Sequence, residues 1–398
     1  MMSNAAIDLA DLGLDFGATV LLRHALLALA PGDRLTVHGV APSLDLHLRA
    51  FARAEGHGFE SADDEHSRGT LVRGTATNAR WVGAQRAGSA APDGAMDHAN
   101  ATWGLAARGA QVEAGAPAFA FALADKDEIW SDNAGQLYRA AAAAQWDPAS
   151  AIPWDAPRTH PAFVEDALVQ VLTYLIENET AALIVPAHFC AKVHPHFREV
   201  VQLLAIQAAD EARHIEVFTR RALLARDQLG LSTGGGQASL QTLIDEPDFA
   251  LASFLLSVLG EGSFLNLLGF LQTHAPDRCT AEVMRLAAVD EARHVAFGMS
   301  HLLRHAAHDS TLRPRLRVAI ERRHEMLRHT AGLNAEVFDA LVILAAGALT
   351  PAAIARGHAA VADLQTQMDS GRRARLRRLG FDDREAAQLS SLHTRNFM

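Results

Sequence analysis

A mainly helical protein, built on a long four-helix bundle with extra helices after it and a small α+β unit before it, is the fold class this sequence predicts. Three observations lead there. From Pro161 onward the 398-residue chain carries apolar residues at helical spacing in long uninterrupted runs. The pentapeptide Asp-Glu-Ala-Arg-His occurs twice, at residues 210–214 and 290–294. The first 80 or so residues instead mix short helical runs with strand-like alternation.

Composition bounds the function. Hydrophobic residues make up 49% and charged residues 21% of the chain, enough for a packed core and too apolar for a disordered state. A net charge of −10 gives nothing to nucleic-acid binding, which depends on a basic face. Two cysteines, Cys190 and Cys279, cannot form a disulfide framework or a paired thiolate site. Histidine is abundant, at 20, against only 2 tyrosines. The N-terminal MMSNAAIDLADLGL lacks the basic start and apolar run of a secretory signal. Residues 247–272 imitate a membrane span, but Glu261 sits at their centre and no Lys or Arg flanks them closely. A helix apolar all round fits the middle of a large bundle. The expectation is a soluble, cytoplasmic protein.

The elements follow in order. Leu21–Leu29 is an apolar helical run closed by Pro31-Gly32, and 33–40 alternates as a strand with Leu35 and Val37 on one face. Leu44–Glu55 is helical, and 70–75 and 80–86 are β-rich. The order is a β-α-β-α-β-β unit with helices on one face of a sheet. Over about residues 8–85, on GLDFGATVLLRHALLALAPGDRLTVHGVAPSLDLHLRAFARAEGH, it resembles the TusA-like sulfur carriers. Those proteins carry sulfur on the cysteine of a Cys-Pro-x-Pro turn, where this chain has Phe16, Gly17, Ala18 and Thr19. Without the thiolate there is no nucleophile. A docking or dimerising role is the expectation for residues 1–85, with the acidic stretch 57–65 favouring a basic partner.

Residues 86–117, rich in Gly, Ala and Ser, read as a linker, and the helical domain runs from 118 to 398. Within it 127–144 is helical, and Trp146 and Trp154 in the Pro-containing stretch that follows read as core anchors. Four long helices are expected at about 161–192, 195–228, 247–273 and 277–306, with a Gly/Ser loop at 232–239 and Asp277 as an N-cap. Three or more helices follow Arg313.

The chemistry lies in the repeated pentapeptide. Glu211 and His214, like Glu291 and His294, are three apart and share a helix face. One such pair is ordinarily a solvated surface; two in apolar helices are not. A di-metal bundle needs a Glu-x-x-His from each of two helices and one Glu from each of the other two. Glu179 falls on the apolar stripe of Leu172, Leu175, Ile176 and Leu183, whereas Glu177 lies with Thr173, Tyr174 and Thr180 and ranks second. Glu261 falls with Phe254, Val258, Phe264, Leu265 and Leu268. Glu179 precedes Glu211 by 32 residues and Glu261 precedes Glu291 by 30, as two pseudo-symmetric hairpins would require. Four buried carboxylates need cations, and two divalent metals supply them.

On these residues the stretch 160–306 resembles the ferritin-like di-iron carboxylate superfamily. Asp210, Arg213, Asp290 and Arg293 especially resemble the bacterial multicomponent monooxygenases, where the Asp orients a ligand histidine and the Arg pairs with it. The resemblance implies six ligands: Glu179, Glu211, His214, Glu261, Glu291 and His294. The cofactor it implies is two iron ions, or a manganese–iron pair, with O₂ as co-substrate. Departures narrow the branch. Phe218 stands where radical-generating subunits place a tyrosine, Leu265 where methane monooxygenase-like enzymes place a threonine, and Ala287 where aryl-amine N-oxygenases add a histidine.

His188, His194 and His196 read as exposed turn residues, Cys190 and Cys279 as core or partly exposed thiols, and the basic run 372–378 as a solvated helix face or subunit contact. The expected function is an oxygen-activating di-iron monooxygenase or oxidase acting on a small organic or carrier-linked acyl substrate. Phe254, Phe264 and Leu265 are expected to wall its pocket. No nucleotide fingerprint, flavin motif or cysteine cluster is present, so electrons would come from a ferredoxin or reductase, and a homodimer is expected. The rivals are a ferroxidase or other iron-handling protein without organic substrate, and a metal-stabilised interaction module.

Overall fold

The computed structural model describes residues 4–62, 68–75, 81, 83–328 and 335–392. The chain divides into two compact units: residues 1–91 with 106–118, and residues 92–105 with 119–398.

The first unit holds β1 (Asn4–Asp8), α1 (Ala18–Leu27), β2 (Arg34–His38), α2 (Leu44–Glu55), β3 (Gly58–Glu60) and β4 (Gly69–Val72). Its sheet has the order β1-β2-β4-β3, with β1 parallel to β2 and the other pairs antiparallel. Leu35 and Val37 point into a core made with Leu22 and Leu26 of α1, Leu44, Leu48 and Phe51 of α2, and Leu71. Gly17 caps α1 at φ +107°, a backbone conformation that costs any other residue, and Phe16 beside it is 79% exposed. The expected strand over 80–86 is reduced, among the described residues, to β5 (Gln85–Arg86). It pairs with β6 (Gln111–Val112) and not with the sheet. Part of the expected acidic stretch, 63–65, lies outside the described residues. Residues 86–117 are therefore not a free linker. Backbone pairing ties 85–88 to 109–112 in the first unit, while 92–105 packs in the second, where Met96 N–H donates to His196 Nε2.

Among its described residues, the regular structure of the second unit is all helix. Short helices α3 (Lys126–Ile129) and α4 (Ala134–Ala143) lead to α5 (Ala162–Cys190), α6 (Arg198–Ala222), α7 (Gly234–Ile244), α8 (Phe249–Thr273) and α9 (Arg278–His308). Then come α10 (Leu312–Leu327), α11 (Ala335–Ala346), α12 (Pro351–Arg378) and α13 (Asp383–Ser391). The hairpins α5–α6 and α8–α9 make a four-helix bundle, with α11 along α5 and α12 along α8. Asp277 caps α9 by accepting from Thr280 N–H at 2.8 Å. Helices α5 and α8 are long and apolar enough to cross a membrane, but 67% and 83% of their most apolar windows are buried inside the bundle. The expected loop 232–239 is instead the start of α7. Thr233 caps it on Gly236 N–H, and burial of Gly235 and Gly236 outweighs glycine's poor helix propensity.

One element departs from regular geometry. Residues Phe254–Glu261, in the middle of α8, are π-helical. The carbonyl of Val258 is taken by Arg375 Nε of α12 at 2.6 Å, and that guanidinium lies against Gly262. On the other side Gly298 of α9 lets the π-turn approach: a Cβ there would lie 2.7 Å from Ser257 Cβ. The basic run 372–378 is thus split. Arg372 is buried and Arg375 braces the π-helix, while Arg373, Arg377 and Arg378 are exposed.

Candidate metal centre

The four bundle helices bring the six expected ligands together. Glu179 of α5, Glu211 and His214 of α6, Glu261 of α8 and Glu291 and His294 of α9 are all buried. They form two overlapping groups: Glu179, Glu211, His214 and Glu291, and Glu211, Glu261, Glu291 and His294. Within each group one ligand atom per residue lies within 4.8 Å of every other. Glu177 is half-buried and outside both.

The histidines present Nδ1 to the carboxylates. His214 Nδ1 lies 3.1 Å from Glu211, 3.5 Å from Glu291 and 3.6 Å from Glu179. His294 Nδ1 lies 2.9 Å from Glu211, 3.4 Å from Glu291 and 3.9 Å from Glu261. Each Nε2 turns the other way, to the aspartate of the opposite motif. His214 Nε2 meets Asp290 at 3.2 Å, and His294 Nε2 meets Asp210 at 3.3 Å. The two pentapeptides are thereby crossed. Arg213 donates to both Asp210, at 2.5 Å, and Asp290, at 2.8 Å, and Arg293 pairs with Asp290. An aspartate that holds the far nitrogen fixes the ring and leaves Nδ1 as the donor toward the centre.

The electrostatics are those of a cation site. Burial, with Glu211 and Glu291 nearby, pushes Glu179 well above the ordinary carboxylate range, and burial with Glu291 does the same to Glu261. Burial alone would lower His214, but Asp290 and Glu179 outweigh it and raise it well above its usual value. Burial would lower His294 too, and is outweighed by Glu211 and Asp210. Against the penalty of burial, His294 and His214 hold Glu211 below the usual range. Both oxygens of Glu291, Oε1 of Glu179 and Oε2 of Glu261 are buried without a hydrogen-bond partner among the described residues. Unpaired buried carboxylate oxygens are costly, and convergent ones are what two divalent ions require. Four carboxylates and two imidazoles without thiolate suit iron or manganese. The donor set fits a dinuclear centre.

Four further residues surround the site. Gln145 donates to Asp210 at 2.8 Å and accepts from Arg213. Trp146 Nε1 donates to Asp290 at 2.8 Å, and its ring lies under the Arg213 guanidinium at 4.6 Å. Trp146 is therefore no core anchor but a half-buried support of the aspartate. Trp154 likewise stays half-buried, stacked on Arg220. Gln207 Nε2 donates to Glu261 Oε1 at 3.1 Å, and Ser257 lines the same small cavity as Gln207. Gln207 was legible, as a polar residue one turn before Glu211; Gln145 and Trp146 lie on a turn far away in sequence.

A cavity of about 10 Å³ lies beside Gln207 and Ser257, lined also by Val185, Pro186, Phe189, Leu204, Phe249, Ser253, Leu256 and Phe297. Phe254, Phe264 and Leu265 do not line it. Phe264 packs on Tyr174, and Leu265 borders an open groove against α12. The i→i+5 bonding of the π-turn changes which of its residues share a face, and Ser253 and Ser257 line the cavity. His194 and His196, expected at the surface, are buried. His194 Nδ1 accepts from His196 N–H, and the rings pack on Phe121 and Trp103. Only His188 is exposed. Cys279 is buried and Cys190 half-buried, both free thiols.

Neither a protein-family model nor a curated protein matches the sequence. Among solved structures, the chain is similar to an R2-like ligand-binding oxidase with an aerobically reconstituted metal cofactor, at 16% identity over 66% of this chain and 90% of that one, TM-score 0.42. A mutant R2-like ligand-binding oxidase with a Mn/Fe cofactor shares 19% identity over 67% and 95%, TM-score 0.44. The R2-like ligand-binding oxidase of Sulfolobus acidocaldarius shares 17% over 59% and 89%, TM-score 0.40. The donor set of this chain, not these likenesses, defines the site.

Proposed function

We propose that this protein is an oxygen-activating di-iron oxidase or monooxygenase, with manganese–iron as the other metal pairing. The observation that carries the reading is the pair of crossed motifs: six buried donors, with each ligand histidine held through Nε2 by the opposite aspartate. The two metals would supply the redox chemistry that activates O₂. Glu211 and Glu291 belong to both ligand groups and would bridge, with Glu179/His214 on one side and Glu261/His294 on the other. Phe189, Leu204, Phe249, Leu256 and Phe297 keep bulk water from the Glu261 side. The substrate we propose is a small organic or acyl-linked molecule, the electrons coming from an external ferredoxin or reductase. The N-terminal unit is then a docking or dimerising domain, in a cytoplasmic homodimer.

A ferroxidase is the second reading, and the cavity favours it. About 10 Å³ holds one water-sized molecule and no organic substrate. Metal analysis should find two iron or manganese ions per chain; one zinc ion alone would overturn the centre. Oxygen uptake by iron-loaded protein with a reductase then separates the readings. Sustained, substrate-dependent uptake supports the oxygenase. Uptake that stops when the supplied ferrous iron is oxidised supports the ferroxidase.

A further inference from the structure

The two halves of the site are related by the repeat, and they differ around Glu179 and Glu261. Aligning residues 210–214 with 290–294 sets Gln207 opposite Ala287, and aligning Glu179 with Glu261 sets Ser257 opposite Leu175. On the Glu261 side both positions carry a hydrogen-bond donor. Gln207 is 2% exposed and its amide holds Glu261 Oε1 at 3.1 Å, with the Ser257 hydroxyl on the same side. On the Glu179 side both are buried hydrocarbon, Ala287 and Leu175. Glu179 Oε1 has no hydrogen-bond partner among the described residues, and His214 Nδ1 lies 3.6 Å from the other oxygen. Gln207 also lines a small cavity with Ser253 and Ser257.

We propose that Gln207 is a positioning residue that makes the two metal positions inequivalent, tethering Glu261 while Glu179 stays free to swing. The inference rests on the metal reading above. A carboxylate with one oxygen held by an amide presents the other oxygen to its metal in a fixed direction. An untethered carboxylate changes its mode of ligation at little cost. The Glu211/Glu261/Glu291/His294 group is then the rigid position, and the Glu179/His214 group the adaptable one.

The test uses the full chain loaded with ⁵⁷Fe(II) without oxygen, read by Mössbauer spectroscopy and by metal titration. Wild type is expected to give two quadrupole doublets of equal area. Gln207→Met, which keeps the volume and removes the donor, should alter one doublet only and weaken one of the two ions by about 10- to 100-fold, the usual effect of losing an outer hydrogen bond to a ligand. Gln207→Asn, which stays polar but falls short of Glu261, should do the same; circular dichroism of each metal-free variant checks its fold. Two ions bound by wild type with Met and Asn variants unchanged in both readouts overturns the tether and leaves the metal reading standing. A wild type that takes up fewer than two ions overturns both.

Discussion

Glu179 and Glu177 are two residues apart on α5, and the bundle separates them completely. Glu179 stands among the other ligands and Glu177 faces away, half-buried. Glu179→Ala is expected to cut uptake from two ions to one or none, while Glu177→Ala binds as wild type; elemental analysis after anaerobic loading decides it. His301 makes a second prediction at this scale. It is buried among Phe249, Phe297 and His305, and burial, then His305, lowers its pKa to about 3. An unfolded histidine binds its proton below about 6.5. Between those values the unfolded chain carries the extra proton, so stability contributed by the neutral ring is lost as pH falls from about 6.5 toward 3. His301→Leu should flatten that acid-side slope, measured by urea unfolding at several pH values.

At the scale of elements, ion pairs and the π-turn hold the helices in place. Arg221 of α6 is fully buried and donates to Glu165 of α5 at 2.7 Å, to Asp277 at the start of α9 at 2.6 Å and to Thr280 at 2.8 Å. It therefore joins three of the four bundle helices. Arg221→Met leaves two buried carboxylates without their cation and should cost about 3–5 kcal/mol. Adding Glu165→Gln should recover part of that loss, as denaturant midpoints would show. The π-turn of α8 depends on its neighbours in the same way, through Gly298 beneath it and Arg375 on its freed carbonyl. Neither contact is local in sequence, and for that reason the α-helical period does not reveal the π-turn.

At the scale of the whole molecule, the centre couples metal binding to folding. Four carboxylates brought together by four helices repel one another, and ions that bind only the folded chain oppose that repulsion. Each site adds about 2.7 kcal/mol when free metal exceeds its dissociation constant 100-fold. Thermal melting with ferrous or manganous ion should therefore rise well above melting with a chelator, and Glu179→Ala should gain less than wild type. An equal melting temperature with metal and with chelator would contradict the centre.

The sequence by itself determined the helical class, the four long helices and all six buried donors, because each signal is local. Helical period places Glu179 and Glu261 on apolar stripes, and a three-residue step puts Glu211 with His214 and Glu291 with His294. Tertiary structure alone decided what joins those local pieces. It crossed each histidine to the opposite aspartate, brought Gln145 and Trp146 over the arginines and turned Ser253 and Ser257 toward the cavity. It also buried His194 and His196 and paired the expected linker across 85–88 and 109–112. These contacts span tens to more than a hundred residues, and their energies depend on burial and approach between helices. No period within one helix encodes them.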